Sequence, residues 1–174
     1  MNAILIRHTR IVVPPGWCYG HADVPLAESF PEEAAEVRAQ LPWPPQLVLT
    51  SPALRCRKLA EQLAGTAPVR EDVRLRELHM GGWEGRAWES FRGPESEAWA
   101  LDPWNLRPPG GESAREFWAR VALVREELVA TDRARVAIVT HAGVIRAWRG
   151  IAEQRSFETM LREPVAFGSI HQAG

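Results

Sequence analysis

Lysine is almost missing. Lys58 stands alone among 21 Lys and Arg residues, so nearly every cation is an arginine: a planar, permanently charged fork suited to oxyanions. Cysteine is scarce too. Cys18 and Cys56 are the only two, in no Cys-x-x-Cys arrangement, which excludes a disulfide scaffold and argues against a thiolate metal site. Charge of one sign is lacking: the formal net charge is −1, so no global field draws nucleic acid or an anionic membrane. The apolar runs are strand-sized, and the first residues carry no basic segment followed by an apolar core. The expectation is a cytoplasmic protein with no membrane and no nucleic-acid partner. No P-loop and no Asp-rich cluster is present, which disfavours nucleotide-driven phosphoryl transfer and a magnesium site.

What is present begins at once. Ala3 to Ile6 is a continuous apolar run, as in a strand buried on both faces, and it stops at Arg7-His8. Gln46–Thr50 and Val136–Thr140 repeat the pattern, ending in Ser51-Pro52 with Arg55 beyond, and in His141-Ala142-Gly143. Ser29-Phe30-Pro31-Glu32 has capping-box spacing ahead of a helix that runs until Pro42. Ser51, as N-cap, and Pro52, at the first helical position, predict a helix to about Ala64, stopped by Gly65. Ser113-Ala114-Arg115-Glu116 is a second capping box, and Phe117, Val121, Val124 and Leu128 behind it share one helix face. A helix follows from Val144 to Ala152. Val69–Leu78 reads as a short strand or extended segment, Ile11–Gly20 as an extended loop, and Val165–Ile170 as a last strand. Short helices are expected at Ala87–Phe91 and Glu95–Leu101 within an irregular stretch, 79–111, long enough to be functional.

Alternating strands and helices predict an α/β fold: three layers, α/β/α, with a mainly parallel central sheet and helices on both faces. Residues 1–174 are read as one domain, with 79–111 a lid or substrate-specificity insertion. If the three apolar strands are parallel, Arg7, His8, Arg55 and His141 converge at their carboxyl ends, where open α/β sheets bind ligands. Two arginines and two histidines beside helix N-termini suit a phosphate. The backbone N–H groups of Ala142 and Gly143 are further candidates to hold it. Neighbouring cations should keep an imidazole neutral, hence a nucleophile able to form phosphohistidine. The leaving alcohol then needs a proton, for which Glu77 and Glu84 are both candidates.

Four segments together resemble a known family. Leu5-Ile6-Arg7-His8-Thr9 is similar to the Arg-His-Gly signature of the histidine phosphatase (phosphoglycerate-mutase-like) superfamily, with Thr9 in place of the usual Gly. Thr50-Ser51-Pro52-Ala53-Leu54-Arg55 resembles its Ser-Ser-Pro-x-x-Arg element. Leu75 to Gly85 resembles its acid-bearing loop, and Thr140-His141-Ala142-Gly143-Val144-Ile145-Arg146 its second-histidine motif. The resemblance implies His8 as the phosphorylated nucleophile, Arg7, Arg55 and His141 as the phosphate pocket, and Glu77 as general acid. It implies no metal and no organic cofactor. The Arg-His-Thr-Arg start and the Pro-Pro-Gly-x-Cys-Tyr-Gly-x-x-Asp-Val-Pro-Leu loop look most like α-ribazole phosphatases. Those act on α-ribazole 5′-phosphate, or its cobamide form, in cobalamin biosynthesis.

Two other readings are weighed against this one. A broad phosphatase or phosphoglycerate-mutase-type enzyme shares the site, but the Asn many mutase-type members carry is not evident near Pro14. A non-catalytic phospho-ligand module needs the cations but neither a nucleophile nor a proton donor. Trp83, Trp88, Trp99 and Trp104 could stack on a flat base, although packing accounts for most tryptophans. His21, His79 and His171 read as structural or peripheral, and the two cysteines as ordinary thiols.

Overall fold

The computed structural model describes residues 2–131 and 135–174. In chain order the elements are β1 (Ala3–Arg7), β2 (Trp17–Cys18), α1 (Phe30–Ala39), β3 (Leu47–Thr50), α2 (Leu54–Ala64), β4 (Val69–Glu71) and β5 (Arg86–Ala87). There follow α3 (Pro94–Leu101), α4 (Ala114–Ala130), β6 (Val136–Thr140), α5 (Ala142–Glu153), α6 (Phe157–Leu161) and β7 (Ile170–Gln172). The main sheet has five strands in the order β4-β3-β6-β1-β7. β4, β3, β6 and β1 run parallel, and β7 is antiparallel to β1.

The continuous apolar runs follow from a sheet covered on both sides. Successive side chains on a strand point to opposite faces. Thus Ala3 and Leu5 of β1, with Val136 and Ile138 of β6, join the core formed with Phe117, Val121, Val124 and Trp148 of α4 and α5. Ile4 and Ile6, with Ala137 and Val139, join the opposite core against Val37 of α1 and Leu59 and Leu63 of α2. This is the expected three-layer arrangement, with a mainly parallel sheet.

Several local expectations are corrected. Ser51 does not cap α2: the helix starts at Leu54 with Ala53 at its N-cap. Ser51 turns instead toward the sheet end, where its Oγ meets His141. Ser29 precedes α1 but makes no capping bond; its hydroxyl donates to Glu33, which also holds Arg10. The Ser113–Glu116 box forms as expected. Val69–Leu78 is strand only to Glu71 and then a 3-10 turn at Val73–Leu75. The last strand lies later than expected, at Ile170–Gln172, because Gly168 (φ +69°) first turns the chain back along β1. Within 79–111, Trp88–Phe91 forms a 3-10 turn and Pro94–Leu101 a helix. The 11–20 segment is not all loop, since β2 pairs with β5 and fastens it to that irregular stretch.

Candidate active site

β1, β3 and β6 are adjacent and parallel, so their carboxyl ends meet. β1 delivers Arg7 and then His8, β6 delivers His141 as the N-cap of α5, and β3 leads through Ser51 to Arg55 in the first turn of α2. His8, Arg55 and His141 are each 1% exposed, in a protein interior where a charged group normally survives only with partners.

The two imidazoles face each other edge-on, ring centres 5.3 Å apart. His8 Nδ1 lies 2.8 Å from the Thr9 carbonyl, which can only accept. Nδ1 therefore carries the proton, and the Nε2 lone pair is free. Burial pulls the His8 pKa down to about 3, and the Arg55 and Arg7 charges push the same way. The cations were the expected cause; desolvation is the larger one. His141 is lowered well below the usual imidazole range, again chiefly by burial. Its Nε2 lies 2.8 Å from Ser51 Oγ and 3.5 Å from Cys56 Sγ, a thiol that burial raises to about 12 and so keeps protonated.

The arginines are gripped from behind. Arg55 donates to the carbonyls of Ala22 and Gly20 at 2.9 and 2.8 Å, while Arg7 donates to the Val165 carbonyl at 2.5 Å and lies 3.7 Å over the Phe167 ring. Each keeps a buried Nε–H with no protein partner, a donor left open to a ligand.

Geometry separates the two candidate carboxylates. Glu77 accepts from the backbone N–H of Gly143 at 3.1 Å and of Leu78 at 3.0 Å, which sets it at the start of α5, two residues beyond His141. A Cβ at Gly143 would fall on the Glu77 carboxylate, so glycine is what leaves room for the acid in this position. This N–H, expected to face phosphate, is thus already occupied. Glu84 instead accepts from the backbone N–H groups of His21 and Met80, both at 2.9 Å, and braces the loop. Beside Glu77 and Gly143 opens a cavity of about 330 Å³, walled by Trp17, Trp88, Trp99, Trp118 and Phe157, with Arg146 at its edge. Among the described residues no group of three or more His, Cys, Asp or Glu could hold a metal ion. None of the described helices is long and apolar enough to cross a membrane.

A family model of the histidine phosphatase superfamily (branch 1) matches residues 3–173. The chain belongs to that superfamily. Among solved structures, this histidine phosphatase is similar to the α-ribazole phosphatase from Shigella flexneri, at 26% identity and TM-score 0.85 over 98% of this chain and 88% of that one. It is also similar to TTHB049 from Thermus thermophilus, at 32% identity and TM-score 0.73 over 99% and 92%. The mycobacterial glucosyl-3-phosphoglycerate phosphatase complexed with VO3 follows at 25% identity and TM-score 0.80 over 98% and 90%. No curated protein matches the chain. Membership of this superfamily implies phosphatase activity on a small phosphorylated molecule.

The structure sets Arg7 and Arg55 near enough to His8 to act on its charge, His141 against its ring, and Glu77 at the start of α5. Sequence reasoning brought Arg7, His8, Arg55 and His141 to one crevice through the strand ends, and Glu77 only through the family resemblance. It missed Ser51 as a partner of His141, and Arg120 and His21 as partners of the Glu77 backbone. The Ser51-Pro52 signal pointed to a helix cap and concealed the first. Nothing local in the sequence marks the other two.

Proposed function

We propose that this histidine phosphatase is a metal-independent phosphomonoesterase that works through phosphohistidine, with α-ribazole 5′-phosphate, alone or within its cobamide, as substrate. The phosphate sits against Arg7, Arg55 and His141, with the two buried arginine Nε–H groups among its donors. His8 Nε2 attacks phosphorus as the ester P–O bond breaks, and Glu77 gives its proton to the departing alkoxide. Water then attacks phosphorus, the P–N bond breaks, Glu77 takes the water proton, and inorganic phosphate leaves with His8 restored.

The observation that carries the substrate is the aromatic cavity beside Glu77. An alcohol protonated by Glu77 must leave toward that space, and its indole walls suit a flat apolar base. Met80, Trp88, Trp99 and Pro103 line it from 79–111, so that segment serves as the specificity insertion of a single domain. A second reading is favoured by Arg146, which lines the cavity and forms no ion pair among the described residues: the phosphate ester of an acidic alcohol, such as glucosyl-3-phosphoglycerate. The test is kcat/KM in EDTA for α-ribazole 5′-phosphate, glucosyl-3-phosphoglycerate, 3-phosphoglycerate and an aryl phosphate. The expected order places α-ribazole phosphate at least about a hundredfold above the others, within the range of a dedicated enzyme. A lead for glucosyl-3-phosphoglycerate moves the assignment to acidic alcohols, and a flat profile makes this a broad phosphatase.

A further inference from the structure

Glu77 is held from behind as well as in front. Its backbone carbonyl accepts from Arg120 Nη2 at 2.9 Å and from His21 Nε2 at 2.7 Å. A carbonyl can only accept, so this fixes the His21 proton on Nε2. Arg120 lies on α4, and its other donors grip the same loop: Nη1 reaches the carbonyls of Arg74 at 2.6 Å and Arg76 at 2.8 Å. Glu112 pairs with Arg120 and accepts the His79 N–H at 2.9 Å, so one ion pair ties both flanks of Glu77 to the helix. His21 comes from the opposite side. Its ring stacks on His79 with centres 4.3 Å apart, and its own N–H is held by Glu84. Its neighbours Gly20 and Ala22 supply the carbonyls that hold Arg55.

We propose that Arg120 and His21 are positioning residues for proton transfer, clamping the Glu77 peptide so that its carboxyl group lies within reach of the departing oxygen. The proposal rests on Glu77 being the proton donor. Two charged or polar side chains converging on one carbonyl exceed what a loop needs for satisfaction, since one donor suffices. The peptide they hold is the one that carries the acid. A displacement of about 1 Å at such a group is enough to cost about a hundredfold in rate. His21 also joins the two halves of the site, because the loop that grips Arg55 reaches Glu77 through its ring.

The reaction offers a readout that mere loop stability does not share. An alkoxide or phenoxide of high pKa needs a proton as it leaves, whereas dinitrophenolate does not. The experiment measures kcat/KM, which stops at phosphoenzyme formation, for phenyl phosphate and 2,4-dinitrophenyl phosphate. The proteins are the native enzyme, His21→Phe, His21→Gln, Arg120→Met and Glu77→Gln, with inhibition by inorganic phosphate as a check on the phosphate pocket. His21→Phe keeps the stack on His79 and loses the donor; its loss should be about tenfold greater on phenyl phosphate than on dinitrophenyl phosphate. His21→Gln, which restores an N–H donor, should recover most of that difference, and Arg120→Met, if it folds, should show the same selective loss. Phosphate inhibition should be unchanged in His21→Phe. Equal losses on both substrates, or none on either, would overturn the proposal. Glu77→Gln tells the two levels apart. If it too lacks leaving-group dependence, the reading of Glu77 falls and the clamp falls with it. If it shows that dependence and His21→Phe does not, the clamp alone is wrong.

Discussion

Acidification asks whether the fold keeps His8 unprotonated. A free imidazole titrates near 6.5, but burial, helped by Arg55 and Arg7, holds His8 at about 3. At pH 5 the native protein would then carry the extra proton on roughly one molecule in a hundred, while an unfolded chain would carry it on nearly all. The unfolded state therefore binds more protons between pH 6.5 and 3, and stability falls as pH falls through that window; above 6.5 the contribution is fully present. At about 1.4 kcal/mol per pH unit, the loss attributable to His8 is about 2 kcal/mol by pH 5. His141, lowered by the same cause, adds to it in the same direction. The assay is urea unfolding of the native protein and His8→Gln at matched pH values between about 7.5 and 5. The native curve should fall by about 2 kcal/mol more than the variant's. The nucleophile should also contribute no acid limb to kcat/KM above about pH 4 once substrate ionisation is allowed for. Parallel stability curves, or a His8 ring resonance titrating near 6.5, would show that burial does not hold this imidazole neutral.

Other perturbations have equally definite outcomes. Gly143→Ala puts a methyl group where the Glu77 carboxylate lies, so kcat/KM on phenyl phosphate should drop by about a hundredfold; an unaffected rate would show that Glu77 is not held there. Arg55→Lys gives up the fork that binds Gly20 and Ala22, and, with Arg55 in the proposed phosphate pocket, inhibition by inorganic phosphate should weaken by about thirtyfold, roughly 2 kcal/mol. Trp148 is fully buried and donates to the Ala173 carbonyl at 2.8 Å, so Trp148→Ala should cost about 3–5 kcal/mol in urea unfolding. Trp88→Ala opens one wall of the cavity and should raise KM for α-ribazole phosphate about tenfold while leaving phosphate inhibition alone.

How far these features could be read from the sequence depends on how local their causes are. β1, β3 and β6 were legible because a strand buried on both faces must be apolar throughout, and Ile4 and Leu5 serve opposite cores. Arg7, His8 and His141 were legible because each interrupts such a run at its carboxyl end. The Ser113–Glu116 cap is a bond across one turn and was visible as such. Ser51 has the same local appearance, yet its hydroxyl turns to His141, ninety residues away, and α2 starts later. Tertiary partners outweighed the cap. β7 was placed early because apolar Val165–Phe167 looks like a strand, whereas Phe167 packs on Arg7 and the pairing with β1 begins only at Ile170. Glu77 and Glu84 are indistinguishable by spacing; what separates them is that one meets Gly143 and the other His21 and Met80. Arg120 and His21 lay furthest from view, since their partner is a backbone carbonyl that no sequence pattern marks.

The proposed mechanism turns on His8 as the residue that carries the phosphoryl group. The most direct test is to mix the protein with an aryl phosphate in EDTA, quench within the first turnover, and map the phosphoryl group by mass spectrometry of peptides kept at alkaline pH. A phosphohistidine route leaves one phosphoryl group on the peptide containing His8, formed and lost at rates that support turnover, and absent from His8→Ala. Turnover without a phosphorylated peptide, a phosphoryl group on any other residue, or activity that returns only when a metal is added would contradict it.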